Sequence, residues 1–120
     1  MRVDKVNVER KFALFDDYWD LRIVGELNGQ RVKLAKLLGE LVSHHDEEDE
    51  LFFRRKGTVS HGVRDRDVSA EEGEFIGISR GVEHRPVAEE KAQVMLFELA
   101  LTLNTGNVRG ELPATELEQI

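Results

Sequence analysis

Short apolar runs separated by turn residues are the feature that most constrains what this chain can fold into. Apolar and polar residues alternate in several stretches, which is typical of strands with one buried face. Turn residues end these stretches at Asn28-Gly29, 64–67 and 71–73. Asn-Gly is the strongest short hairpin signal, because both central residues of a type I′ turn need positive φ. Strands at intervals of roughly 8 to 12 residues predict an all-β sandwich or a closed barrel. We favour the barrel, since a long meander must otherwise protect its edges.

The apolar pattern also predicts one helix before the strands. The helix covers about residues 7–17, with Asn7 as its N-cap. The apolar side chains that recur there at helical spacing are Val8, Phe12, Phe15 and Trp19. Within the strand region, we predict a break at Gly39-Glu40 and a turn at 89–91. The predicted strands cover residues 21–27, 31–38, 41–45, 51–57, 58–63, 68–70, 75–78, 84–88 and 92–101.

Charge and cysteine content narrow the classes of function. The formal net charge of −7 opposes binding to nucleic acid or to an anionic membrane, because both need clustered Lys and Arg. The absence of cysteine excludes disulfides, thiolate metal ligands and cysteine nucleophiles. The sequence shows no signal segment and no apolar run near the roughly 20 residues of a membrane span. For 120 residues we therefore predict one domain in the cytoplasm.

The densest group of potential metal ligands lies in the segment 41–57, LVSHHDEEDELFFRRKG. Residues i and i+2 of a strand face the same side, so Ser43 and His45 are predicted to share a face, and if that face points into the barrel His44 points outward. The acidic run then forms a turn that brings Glu50 towards His45. A second stretch, GEFIGISRGVEHRP, supplies His84 from another strand. Imidazole and carboxylate groups together are suitable ligands for Fe, Mn, Ni or Zn. Judged by spacing alone, however, such a segment is more often a solvated acidic turn with histidines that bind nothing.

The two stretches resemble the two sequence motifs of the small single-domain cupins. The residues that match the first motif are Gly39, His45, Glu50 and Gly57. The residues that match the second motif are Gly73, Gly81 and His84. The chain is also similar to a subgroup labelled mannose-6-phosphate-isomerase-like, through FALFDDYW, ELNGQRVKLAKLLGE, DEEDELFF, GVEHRPVAEE and LNTGN. The resemblance covers roughly residues 7–108.

This resemblance implies a fold and a ligand set. The fold is a conical antiparallel β-barrel of the jelly-roll type with a short N-terminal helix, often found as a homodimer. A glutamate and histidines of the family hold one divalent metal ion, and the matching residues here are His45, Glu50 and His84. We expect residues 1–120 to form a single cupin domain. Its parts are an N-terminal arm at 1–20, the barrel at 21–103 and a tail at 104–120.

Ser43 is the departure that affects the metal. It occupies the position of the leading histidine of the first motif, and a neutral hydroxyl is a poor ligand. The remaining His45, Glu50 and His84 resemble the two-histidine, one-carboxylate triad that binds Fe(II) with open positions. His44 replaces the lost ligand only if the strand slips by one residue, which would turn every neighbouring side chain over. We therefore predict that His44 is exposed and has no role in the site.

Two other polar residues, Arg54 and His61, also need an interpretation. Arg54 shares strand parity with Glu50, so its guanidinium should point inward, where a charge is costly unless it is paired. Three interpretations follow: Arg54 pairs with Glu50, binds an anionic ligand, or extends to the barrel mouth, which we favour. His61 matches no ligand of the family, and we expect it at the surface or on an edge strand.

Two functions of different classes remain. The first is a metal-dependent enzyme acting on a small polar metabolite, resembling either sugar or sugar-phosphate isomerases or dioxygenases. The second is a non-enzymatic small-molecule-binding cupin with a degenerate, metal-free site, which the replacement of histidine by Ser43 favours. The fold cannot decide between them, because the same barrel hosts many reactions. The expected partners are a small-molecule ligand and a second copy of the chain, with neither nucleic acid nor membrane.

Overall fold

A computed structural model of the chain describes residues 3–43, 47–99 and 117–120. Within these ranges the strands pair antiparallel and one short helix precedes them, which confirms the predicted all-β class. No helix in the described ranges is long and apolar enough to cross a membrane. The elements are α1 (Val8–Phe12), β1 (Arg22–Leu27), β2 (Gln30–Glu40), β3 (Glu50–Lys56), β4 (Val59–Val63), β5 (Arg66–Ala70), β6 (Phe75–Ile78) and β7 (Arg85–Leu99).

The helix is shorter than the aromatic spacing predicted. Asn7 caps it as expected, because its side-chain oxygen accepts a hydrogen bond from the Arg10 backbone N–H at 2.9 Å. The helix ends at Phe12 rather than at residue 17. Phe12 packs against Leu34 on one side of the sheet, whereas Trp19 packs into the cluster on the other side. One helical face cannot reach both clusters, so the chain leaves the helix between these residues.

The hairpin between β1 and β2 forms where the sequence predicted it. Leu27 and Gln30 are the last paired residues, so the loop consists of two residues. Asn28 has φ of 52° and Gly29 has φ of 78°, the positive values that a type I′ turn needs.

Two predicted breaks turn out to be irregularities within long strands. Gly39, with φ of 84°, lies inside β2, and the β2–β7 register shifts between Leu37 and Gly39. Opposite it, β7 runs unbroken through residues 89–91, so the predicted turn there is wrong. These three residues are exposed at the register shift, which explains their polar character without a turn. The predicted strand at 41–45 is also wrong for its described part, since residues 41–43 lie outside any strand.

The long strand β7 is the centre of the sheet. β2 pairs along one of its edges, while β3 and β4 pair with successive parts of the other edge. β6 extends the sheet beyond β3, and β5 extends it beyond β4. The sheet therefore has two arms beside β7, one formed by β3 and β6 and the other by β4 and β5.

The core lies on the side of the sheet that we call the inner face. Side chains from β2, β3, β4, β6 and β7 meet there in a single cluster, so the sheet folds around them. The buried residues of this cluster are Trp19, Ala35, Leu37, Leu41, Phe52, Val59, Ile78, Ala88, Ala92, Val94 and Leu96. A smaller outer cluster of Phe12, Phe15 and Leu34 holds the N-terminal arm and Ile120 against the other side. Ile120 is fixed there because its backbone N–H donates to the Ile23 carbonyl at 2.9 Å.

Candidate functional site

An open cleft of about 1130 Å³ lies between the two arms of the sheet. Its walls are the β4–β5 hairpin, the strand β6 and the loop that leads into β7. The charged side chains along it are Arg64, Arg66 and Arg85 together with Asp65, Asp67 and Glu83. His61 and Ile78 line its apolar side. The cleft reaches the inner face through His61.

Glu50 takes the inward orientation that strand parity predicted. It is the first residue of β3, it pairs with Ile78 of β6, and only 3% of it is exposed. Phe52 and Arg54 follow on the same inner face and are buried as well. Glu50 also borders a second, smaller cavity of about 330 Å³ beside Asp49 and Ile78. The carboxylate therefore lies inside the folded sheet rather than in the solvated acidic turn before it.

His84 is fully buried at the entrance to β7. It lies one residue before the strand. The residues two and four positions later, Pro86 and Ala88, face the same side and are buried as well. His84 therefore lies on the inner face, beside the start of β7.

His61 is the residue whose place the sequence analysis missed. It was expected at the surface, but only 1% of it is exposed. Its Nδ1 atom lies 3.1 Å from Nδ1 of His84, and its ring meets the Phe52 ring edge-on at 4.6 Å between centroids. The reason is that β4 pairs with β7, with His61 opposite Pro86, so both edges of β4 are covered. The alternation of Val59, His61 and Val63 was the signal that could have placed it inward.

The first-motif histidines fall outside the described residues. His44 and His45 belong to the segment 44–46, so their predicted orientations stay predictions. Ser43, which precedes them, is exposed at the edge of the cleft, where its hydroxyl donates to Glu83 Oε1 at 2.9 Å. That contact directs the serine towards the loop before β7.

Arg54 is buried and does not reach the solvent, so the favoured interpretation, extension to the barrel mouth, is wrong. Its Nη1 donates to the Ala70 carbonyl, and its backbone pairs with Gly73 and Glu74. In the described part of the chain no ion pair joins it to Glu50, and its Nε and Nη2 have no hydrogen-bond partner. Burial lowers the pKa of Arg54, while the carboxylates of residues 71, 72 and 74 oppose that change. Arg54 thus holds the turn between β5 and β6.

A buried ion pair, which the sequence did not indicate, lies further along the inner face. Lys33 Nζ lies 2.7 Å from Glu98 Oε1, and 1% of each side chain is exposed. Lys33 shares parity with Ala35 and Leu37, so it faces the core while Leu34 packs in the outer cluster. Both faces of β2 are covered, so the alternation of apolar residues along this strand does not mark a single buried side. Continuing the β3–β7 register by one step places Glu50 beside Glu98.

Comparison with known structures identifies the family. A cupin-2 domain protein from Shewanella frigidimarina is 37% identical, superposes with a TM-score of 0.77, and aligns over 78% of this chain and 93% of its own. The chain belongs to the cupin-2 domain proteins. A protein from Neisseria meningitidis is 28% identical to this cupin, with a TM-score of 0.75 over 80% of this chain and 99% of that one.

More distant cupin structures share the fold alone. A hydroquinone 1,2-dioxygenase crystallised with Cd²⁺ and 4-hydroxybenzonitrile is 12% identical, with a TM-score of 0.64 over 82% of this cupin and 79% of the dioxygenase chain. No protein-family model matches the sequence. No curated protein matches it either.

The described residues have the donor types for the metal that the cupin fold implies, but not a complete site. No three His, Cys, Asp or Glu side chains within the described ranges lie close enough together to hold a metal ion. Two imidazoles in contact and one carboxylate nevertheless occupy the same inner face. Imidazole and carboxylate are suitable ligands for first-row divalent metals. These residues fit such a site when His45, outside the described ranges, supplies a further ligand.

Proposed function

We propose that this cupin binds a divalent metal ion on its inner face and acts on a small polar metabolite held in the cleft. The observation that carries the proposal is the buried pair of imidazoles, His61 and His84, where the cleft meets the inner face. Polar side chains that are nearly fully buried are costly unless they bond, and in folded proteins they concentrate at functional sites. Two such histidines beside a cavity are therefore more consistent with a site than with packing alone.

The ligands in this proposal are His45, Glu50 and His84. Glu50 lies on β3, and His84 immediately precedes β7. These two strands pair with each other, so one sheet holds both side chains. A bound Fe, Mn, Ni or Zn ion would act as a Lewis acid on a carbonyl or hydroxyl group of the metabolite. The protein would contribute an enclosed face that limits access of water to these side chains.

The charges of the cleft favour a substrate without a phosphate group. Three arginines and three carboxylates alternate along its walls, so its formal charge sums to zero. Sugar phosphates are usually held where cationic groups exceed anionic ones. Dioxygenase-like chemistry or isomerisation of an uncharged sugar therefore suits the cleft better than the sugar-phosphate isomerisation that the subgroup label suggests. The cleft volume of about 1130 Å³ is slightly above the roughly 300–1,000 Å³ that is typical of small-molecule pockets.

A second candidate function is supported by the position of Ser43. Its hydroxyl contacts Glu83 at the cleft edge, where it does nothing for a metal. A cupin that has lost a ligand in this way would bind a small molecule without catalysis. We also propose that the protein forms a homodimer, as small cupins often do, with no role for nucleic acid or membrane.

Metal content separates the two functions. The protein is expressed in medium supplemented with Fe, Mn, Ni and Zn, dialysed, and analysed for bound elements. We expect about one metal ion per chain, and loss of that ion in Glu50→Gln and in His84→Gln. His44→Gln is the matched control and should keep the metal. A wild-type protein that emerges metal-free and takes up none on dialysis would overturn the metal-dependent function and leave the binding protein.

A further inference from the structure

The contact between His61 and His84 constrains where each ring carries its proton. The two Nδ1 atoms lie 3.1 Å apart, a hydrogen-bond distance. A neutral imidazole has one N–H and one acceptor nitrogen. Within the pair, one ring must therefore donate through Nδ1–H and the other must accept at Nδ1. The donor ring is left with a lone pair on Nε2, whereas the acceptor ring carries its proton there.

This coupling means that a neutral pair presents one Nε2 lone pair, not two. A metal ion binds imidazole through a lone pair, so only one ring of the pair can be a ligand through Nε2. Histidines that bind metals almost always donate their other N–H to an acceptor, which fixes the tautomer and the ring orientation. The acceptor is usually a carboxylate or a carbonyl, and here the atom in that position is a nitrogen of His61.

We propose that His61 is the positioning residue of the site: it accepts a hydrogen bond from Nδ1–H of His84 and thereby keeps the Nε2 lone pair of His84 available for metal. This inference rests on the proposed function for the role of His84. Both rings are almost fully buried, so the direction follows from the role of His84 as a ligand: only a donating Nδ1–H leaves a lone pair on its Nε2. Phe52, edge-on to the His61 ring at 4.6 Å, restricts the rotation of the acceptor. Burial of both rings strengthens the bond, because water does not compete for it.

Nitrogen-15 NMR of the metal-free protein tests the tautomers directly. The chain has four histidines, so His→Gln variants suffice to assign each ring. We expect His84 to carry its proton on Nδ1 and His61 to carry its proton on Nε2. The reverse assignment, with the proton of His84 on Nε2, would overturn the proposal.

Zinc titration of two His61 variants tests the consequence for the metal. His61→Gln keeps an acceptor oxygen in the side chain, whereas His61→Leu keeps none. By comparison with other partners of metal-bound histidines, we expect His61→Leu to bind Zn²⁺ about 10- to 100-fold more weakly and His61→Gln to recover most of that loss. Calorimetric affinities are measured below the melting temperature of each metal-free variant, and His44→Gln serves as the control. A purely structural residue would lower the melting temperature and leave the Zn²⁺ affinity unchanged.

The remaining outcomes are distinguishable. Equal affinities for His61→Leu and wild type overturn the positioning role while the proposed metal site stands. Complete loss of Zn²⁺ binding in both His61 variants, as expected for His84→Gln, makes His61 a ligand itself and also overturns the positioning role. A wild-type protein that binds none of Zn²⁺, Fe²⁺, Mn²⁺ and Ni²⁺ overturns the proposed function, and the NMR result then still reports the direction of the hydrogen bond.

Discussion

Lys33 and Glu98 place an ion pair in the core, where neither charge reaches water. Removing two charges from water costs several kcal/mol each, and only close contact recovers that cost. Continuing the β3–β7 register places Glu98 beside Glu50, so Lys33 compensates one of two neighbouring carboxylates. The pair therefore serves the site as well as the fold, because it lets Glu50 lie inside the sheet near a second acidic group.

Removing one partner of this pair should be much worse than removing both. Lys33→Met leaves Glu98 buried and uncompensated, so we expect a loss of about 3–5 kcal/mol in the free energy of unfolding. The double variant Lys33→Met/Glu98→Leu should recover most of that loss. The control is Arg31→Met, which removes the more exposed pair with Glu26 and should cost at most about 1 kcal/mol. Urea unfolding at neutral pH measures all three, and equal losses in Lys33→Met and Arg31→Met would contradict the buried role.

At the scale of the elements, the sequence was most informative at the β1–β2 turn and along β3. Asn28-Gly29 specified a turn, and the parity of β3 placed Glu50 and Arg54 inside, because both features depend on adjacent residues. Register shifts such as that at Gly39 depend on the partner strand, so the pattern of β2 alone suggested a break. The burial of His61 depends on the pairing of β4 with β7, a contact between residues far apart in the chain.

Gly57 links the end of β3 to the shifted part of β7. Its φ is 77°, and a Cβ added there would lie 2.7 Å from the Lys91 carbonyl oxygen and 2.9 Å from Ala92 Cα. Gly73 has a similar φ of 84°, but no atom lies within 4 Å of an added Cβ. The two glycines therefore share a positive φ but differ in the room for an added Cβ. They form a matched pair for substitution by alanine.

Alanine substitution should separate the cost of the left-handed conformation from the cost of the steric clash with β7. Gly73→Ala should cost about 1–2 kcal/mol in the free energy of unfolding, from the left-handed conformation alone. Gly57→Ala should cost a further 1–3 kcal/mol or so, because backbone atoms of β7 cannot yield as a flexible side chain would. Thermal and urea unfolding measure both variants. A Gly57→Ala protein as stable as Gly73→Ala would mean that β3 and β7 are further apart at this point than the structure places them.

At the scale of the whole molecule, the proposed metal joins parts of the sheet that lie on different strands. Glu50 belongs to β3, His61 to β4, and His84 precedes β7, so these three side chains reach the same inner face only when both arms of the sheet are folded. The unfolded chain has no preformed site, and binding free energy then adds directly to folding stability. Metal should therefore stabilise the entire sheet rather than one loop.

The melting temperature should accordingly rise with Zn²⁺ concentration. At free Zn²⁺ 100-fold above its dissociation constant, linkage predicts about 2.7 kcal/mol of added stability. For a domain of this size that corresponds to a shift on the order of 10 °C. His84→Gln should melt at the same temperature with and without Zn²⁺, whereas His44→Gln should shift like the wild type. Calorimetry over a range of Zn²⁺ concentrations makes the measurement. An equal shift in His84→Gln would place the bound ion elsewhere on the chain, because linkage requires the site that binds to be the site that stabilises.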